Sequence, residues 1–251
     1  MSNTSPVNWR IAALAALGML AVQLPAASAA ALPTKENAVV QTEQTLSLKQ
    51  QAIGPIAAFM AVGDMDQLRP ALEQGLDAGL AISDCKEILV QLYAYAGFPR
   101  SLNALNALMA VLEQRRQRGI VDAPGTESDP VPTGDALLAL GTDNQTRLTG
   151  APVKGPVFEF APQIDRYLKT HLFGDIFARS NLDWQSRELA TVAALAAMTG
   201  VEAQLQSHVK VSLHAGLSEA QLRQFIAMLA RQGLPEAAQR AQTALDKGSK
   251  P

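Results

Sequence analysis

Residues 187–216 run RELATVAALAAMTGVEAQLQSHVKVSLHAG, from Arg187 to Gly216. The apolar residues fall at helical spacing on either side of Gly200, so the stretch reads as two helices meeting at a glycine break. On the first, Leu189, Val192, Ala193 and Ala196 form a stripe, and Glu188 lies at its edge beside Val192 and Leu195. On the second, His208 shares a face with Leu205, Val211, Ser212 and Ala215. A carboxylate and an imidazole aimed at one apolar interior are costly to bury unless they pair. If paired, they make an acid/base couple in a dry pocket. A plainer reading stands beside this one: Glu188 as a favourable charge at a helix N-terminus, and His208 as a satisfied core residue.

Outward from that stretch, the composition suits an all-α chain. Of 251 residues, 48% are hydrophobic and 5% aromatic, enough for a sizeable core. A net charge of −2 argues against nucleic acid as a partner. The run Arg115-Arg116-Gln117-Arg118 reads as the solvated end of a helix. Residues 1–29 read as an export signal: Arg10, an apolar run from Ile11 to Val22 too short to span a bilayer, and the cleavage signature Ala27-Ser28-Ala29. The expected protein is therefore periplasmic or secreted, with no stable membrane insertion after signal removal. Its single cysteine, Cys85, can form no internal disulfide there. The three histidines lack the spacing of a metal site, so no metal is expected.

The chain divides into a helical unit at 46–119, a linker at 120–155 and a second unit at 156–246. The linker is marked by the Pro- and Gly-rich segment from Asp122 to Gly134, with one short helix expected between Asp135 and Gly150. Ser83 is expected to cap a helix, Pro99 to open one, and Ser218 with Gln221 to form a capping box. Adding 137 aligns Leu68 with Leu205, Ile88 with Phe225 and Leu76-Asp77-Ala78-Gly79 with Leu213-His214-Ala215-Gly216. At the following Gly-x-Pro turn the offset drops to 136. Such a repeat suggests duplication, with the two copies packed face to face. The copies differ where chemistry would sit: His208 aligns with Ala71 and Glu188 with Gln51. The first copy instead carries an aromatic, basic loop, from which Tyr93, Tyr95, Phe98 and Arg100 could complete a composite site. That loop reads equally well as a helix–turn–helix joint with its rings in the core.

Two hallmarks carry a family resemblance. One is R-E-L at 187–189, followed by Gly200, Gln204, Leu205 and His208, then A-G-L-S at 215–218. The other is Y-A-G-F-P-R at 95–100 with N-A-L at 103–105. Together they resemble the carboxymuconolactone decarboxylase family, which includes the alkyl hydroperoxidase D proteins. The resemblance implies an all-α fold of two tandem helical-bundle repeats, assembled as a homo-oligomer such as a trimer. The peroxidase branch carries a C-x-x-C before the relay histidine, but here those positions are Val201 and Gln204. A dithiol cycle needs two thiols, and this chain has one. The decarboxylase branch uses no cofactor and acts on a small carboxylated lactone.

The expectation is then a carboxy-lyase-like enzyme in which His208 delivers the proton and Glu188 orients the imidazole. Arg179 or Arg100 would hold the substrate carboxylate. For Arg179 the favoured reading is a structural ion pair with Asp175 or Asp183. The alternative is a binding or accessory protein that kept the fold without the chemistry.

Overall fold

A computed structural model describes residues 45–248; the expected export signal, 1–29, lies outside them. Among the described residues there is no strand, and no helix is long and apolar enough to cross a membrane. The first helices are α1 (Leu48–Val62), α2 (Met65–Asp77), α3 (Ile82–Gln91), the single turn α4 (Tyr93–Ala96) and α5 (Phe98–Gln117). Ser47 caps α1 through a box with Gln50, and Gly63, in the left-handed region, ends it. Asp64 caps α2 by accepting from Gln67 N at 3.1 Å. Ser83 does not cap α3 as expected. It lies inside the first turn, and Asp84 reaches back to Ala81 N at 2.9 Å instead.

The segment expected to be a linker, 120–155, holds the 16-residue helix α6 (Gly134–Thr149). It is half of a two-helix layer whose other half is the π-helical segment Leu168–Ile176. Between them run the short helices α7 (Pro156–Phe160) and α8 (Pro162–Tyr167). The layer depends on close backbone approach: a Cβ on Gly141 would lie 1.7 Å from the Lys169 carbonyl oxygen. Asn144 ties it further by donating to the Phe173 carbonyl at 3.0 Å.

Four helices complete the described residues: α9 (Trp184–Ala197), α10 (Glu202–His214), α11 (Glu219–Arg231) and α12 (Pro235–Gly248). Starts recur after 137 residues, from 65 to 202, 82 to 219 and 98 to 235. The packing recurs with them. Helix α2 lies on α1 and α5 as α10 lies on α9 and α12, and the two sets meet where α1 packs along α9. That contact buries Ile53–Ala61 on one side and Ser186–Ala196 on the other without a break. The stripe expected on α9 is thus too narrow: sandwiched between helices, it is buried on every side. Gly54 lets Phe225 of α11 press onto α1, since a Cβ there would come within 2.8 Å of the ring.

A large core joins both sets, and a smaller one (Leu148, Leu172, Phe173, Ile176, Phe177 and Val211) lies beneath the α6/π layer. Tyr95 packs against both. It therefore stands where the two cores meet.

Candidate active site

Helix α9 begins at a capping residue, Asp183, whose carboxylate accepts from Ser186 N at 2.8 Å and from Ser186 Oγ at 2.9 Å. This places Arg187 and Glu188 in the first buried turn. Glu188 is 0% exposed, and its Oε2 accepts a hydrogen bond from His208 Nδ1 at 2.8 Å. His208 comes from α10 and keeps 13% of its side chain accessible. Ser212, one turn on, bonds to the His208 carbonyl at 2.8 Å. Bonding Nδ1–H to a carboxylate selects the tautomer, so the neutral ring presents Nε2 as its basic nitrogen.

Tyr95 stands edge-on to the imidazole, with ring centroids 5.5 Å apart. Its hydroxyl is buried beside Thr191 without a well-formed hydrogen bond. Burial first, and then the charge on Glu188, push the phenol well above its ordinary range, so it stays a neutral donor. Glu188 Oε1 is likewise buried with no partner among the described residues. The site thus holds a carboxylate–imidazole pair, a neutral phenol, and two buried polar atoms without a partner among the described residues.

Beneath the pair lies a polar network that the sequence reading assigned no role. Arg187 is 0% exposed. It donates to Glu87 Oε1 at 2.9 Å, Gln91 Oε1 at 3.1 Å, the Leu182 carbonyl at 3.1 Å and the Arg179 carbonyl at 3.0 Å. Gln91 returns a bond to the Arg187 carbonyl at 2.8 Å and another to Thr191 at 2.9 Å. This network fixes the first turn of α9 to α3, and with it the direction in which Glu188 leaves the backbone.

Residues 162–247 match the family model of the Carboxymuconolactone decarboxylase family. A search of the curated proteins finds no match. The carboxymuconolactone decarboxylase match spans α8, the π segment and α9 to α12, so it contains both Glu188 and His208; α1 to α7 lie outside it. The all-α bundle agrees with the fold of that family.

The other expected site residues are distributed differently from the sequence reading. Tyr95 meets His208. Tyr93 turns the other way, onto His171, with centroids 5.5 Å apart, and Phe98 stacks on it at 4.3 Å. Arg179 pairs with Glu87 through Nε at 2.9 and 3.0 Å, with neither Asp175 nor Asp183. It lines a cleft with Tyr93 and His171. Arg100 is exposed near the Gly63 turn. Arg115 is also no solvated helix end: it is buried between Asp77, at 2.9 Å, and Asp122, at 2.8 Å.

Cys85 is fully buried in α3, and burial, followed by Asp84 and Asp122, pushes its thiol up to about 12. A thiol held protonated is not a nucleophile. Treatment with iodoacetamide at mildly alkaline pH should leave the native protein's mass unchanged, while the denatured chain gains one adduct. Rapid modification of the native protein would show that Cys85 is reachable as a thiolate.

Proposed function

We propose that the protein is a cofactor-free acid–base enzyme that acts on a small carboxylated lactone or a related organic acid, as a carboxy-lyase. The observation that carries this reading is the 2.8 Å bond between buried Glu188 and partly accessible His208. A carboxylate behind an imidazole stabilises the cationic ring and leaves Nε2 to exchange a proton with substrate. In the proposed step the carbon–carboxylate bond breaks and CO2 departs. The electron pair left on the substrate carbon takes the proton from imidazolium Nε2, and solvent reprotonates the ring. Tyr95, kept neutral, can donate to the oxygen onto which that electron pair is delocalised. The segment matching the decarboxylase family contains the pair, which supports this chemistry over a purely structural role.

The experiment is a panel of carboxylated lactones and 3-oxo acids scored for CO2 release and substrate loss. Turnover that disappears in His208→Gln is the expected result. If no compound is consumed, and His208→Gln binds the same compounds as tightly as the wild type, the protein is a binding module and the enzyme reading fails.

Self-association belongs to the same proposal. Helix α5 exposes Phe98, Leu102 and Met109 in one stripe with the half-buried Leu105 and Leu112. Burial matches α12 to α5 at an offset of 137, since Ser101, Ala104, Ala107 and Leu108 correspond to the buried Ala238, Ala241, Ala244 and Leu245. The 136 of the preceding turn therefore does not continue into the helix. At the positions of Phe98, Leu102, Met109 and Leu105, α12 carries Pro235, Gln239, Asp246 and Gln242. An antiparallel pairing of α5 with a second copy would cover the stripe and bring Arg100 of one protomer toward Glu113 of the other. Sedimentation should show an assembly that Leu102→Asp with Met109→Asp dissociates. An unchanged sedimentation coefficient would assign any oligomer to another face.

A further inference from the structure

A second histidine–carboxylate pair lies outside the site above. His171 and Asp175 are one turn apart on the π-helical segment, with Nδ1 2.7 Å from Oδ2. They face a cleft of about 340 Å³, open to solvent and lined also by Tyr93, Lys86, Arg179 and Asn181. That is enough room for a small organic molecule.

Three groups in this cleft hold unused hydrogen-bonding capacity. Arg179 commits Nε to Glu87, and among the described residues its Nη1 and Nη2 have no partner. Asn181 donates Nδ2 to Glu87 Oε2 at 3.0 Å, and its buried Oδ1 has no partner among the described residues. Ser83, 1% exposed and one turn before Glu87 on α3, has a buried Oγ with no partner among the described residues. Unpaired buried polar atoms are costly, so a site that fills all three gains from each. The head groups of Arg179 and Asn181 converge on the same Glu87 oxygen, so an acceptor and a donor on adjacent ligand atoms can meet both.

Charge points the same way. Glu87 is one carboxylate between two guanidiniums, Arg179 and Arg187, each at 2.9 Å. Asp183 also lies near enough to Arg187 to favour its charge, so the cation with spare capacity is the partly exposed Arg179. Lys86 is matched by Glu127 at 2.7 Å. Asp175 is half-exposed and turned onto His171, away from Arg179's partner Glu87.

We propose that this cleft binds a small 2-hydroxy monocarboxylate. The carboxylate lies on Arg179 Nη1 and Nη2 with help from Ser83 Oγ, the hydroxyl donates to Asn181 Oδ1, and the substituent rests against Tyr93. This site does not depend on the reading of Glu188 and His208.

The test is a titration of the whole folded protein with sodium lactate, mandelate and propionate, following the imidazole NMR signals of His171 and His208. Lactate and mandelate should shift His171 with saturation and leave His208 in place. Propionate, which lacks the hydroxyl, should bind about tenfold more weakly because Asn181 Oδ1 stays unpaired. Arg179→Gln should abolish saturation. Should that variant not fold, Ser83→Ala removes a hydroxyl without touching an ion pair. It should weaken lactate severalfold without lowering the melting temperature. Equal affinity for lactate and propionate, shifts confined to His208, or no saturation by any of the three would overturn the proposal.

Discussion

Arg187→Met should lower the melting temperature by roughly 6–20 °C, from a loss of about 3–5 kcal/mol at ~2–4 °C per kcal/mol for a chain of this size. The reason is the number of groups left behind. Arg187 is the common donor to Glu87, Gln91 and two main-chain carbonyls. Its own burial disfavours the cation, and Glu87 is the main compensation. Methionine fills a similar volume but donates nothing, so each acceptor loses a bond in a place water does not reach. Arg179 stays on Glu87, so the carboxylate keeps one cation. The exposed pair Arg223–Glu219 is the control: Arg223→Ala should leave the melting temperature where it is. Thermal unfolding of the two variants checks both statements. A shift of only a degree or two for Arg187→Met would mean the network is not holding α9 to α3.

The second large effect is on turnover. His208→Gln should reduce it by about 10²–10⁴-fold, the usual contribution of a positioned acid or base. Glutamine is the informative replacement, because its amide can still donate to Glu188. Alanine would leave a fully buried carboxylate with neither oxygen paired, since Oε1 has no partner to begin with. Its loss of activity would then be mixed with loss of fold. Glu188→Gln should lower turnover as well, and the double variant should be little worse than His208→Gln alone, since the two act as one unit. The tautomer gives an independent readout. Nitrogen shifts of neutral His208 should report a proton on Nδ1 in the wild type and a redistribution toward Nε2 in Glu188→Gln. Additive losses in the double variant, or a tautomer indifferent to Glu188, would separate the two residues functionally.

The pairing of Glu188 with His208 was legible because each residue sits on a helical face whose apolar character is visible locally. Helical period and a glycine break suffice to aim both at one interior. The network under them was not legible. Glu87 and Gln91 look like ordinary polar residues of an amphipathic helix, and their partner is about 100 residues away. The split of the aromatic loop had a local signal. Tyr93 and Tyr95 are two apart on a helical turn, and residues two apart do not share a face. Treating the loop as one cluster missed that. Arg179 was expected at the substrate of His208 or against a near neighbour. It went instead to Glu87, which only long-range packing brings near.

The sequence by itself determined the helices, their breaks, the 137-residue recurrence and the pairing of Glu188 with His208. Period, capping residues and glycines act over a few positions, so their consequences can be read there. Tertiary structure alone decided what lies around the pair. It buried α9 on every side, since α1 packs along it. It turned half of an apparent linker into the layer that carries His171, because Gly141 admits the Lys169 carbonyl. It also placed Tyr95 between the two cores and Tyr93 on the cleft that His171 lines. These outcomes depend on which distant surfaces meet, and no local pattern encodes that.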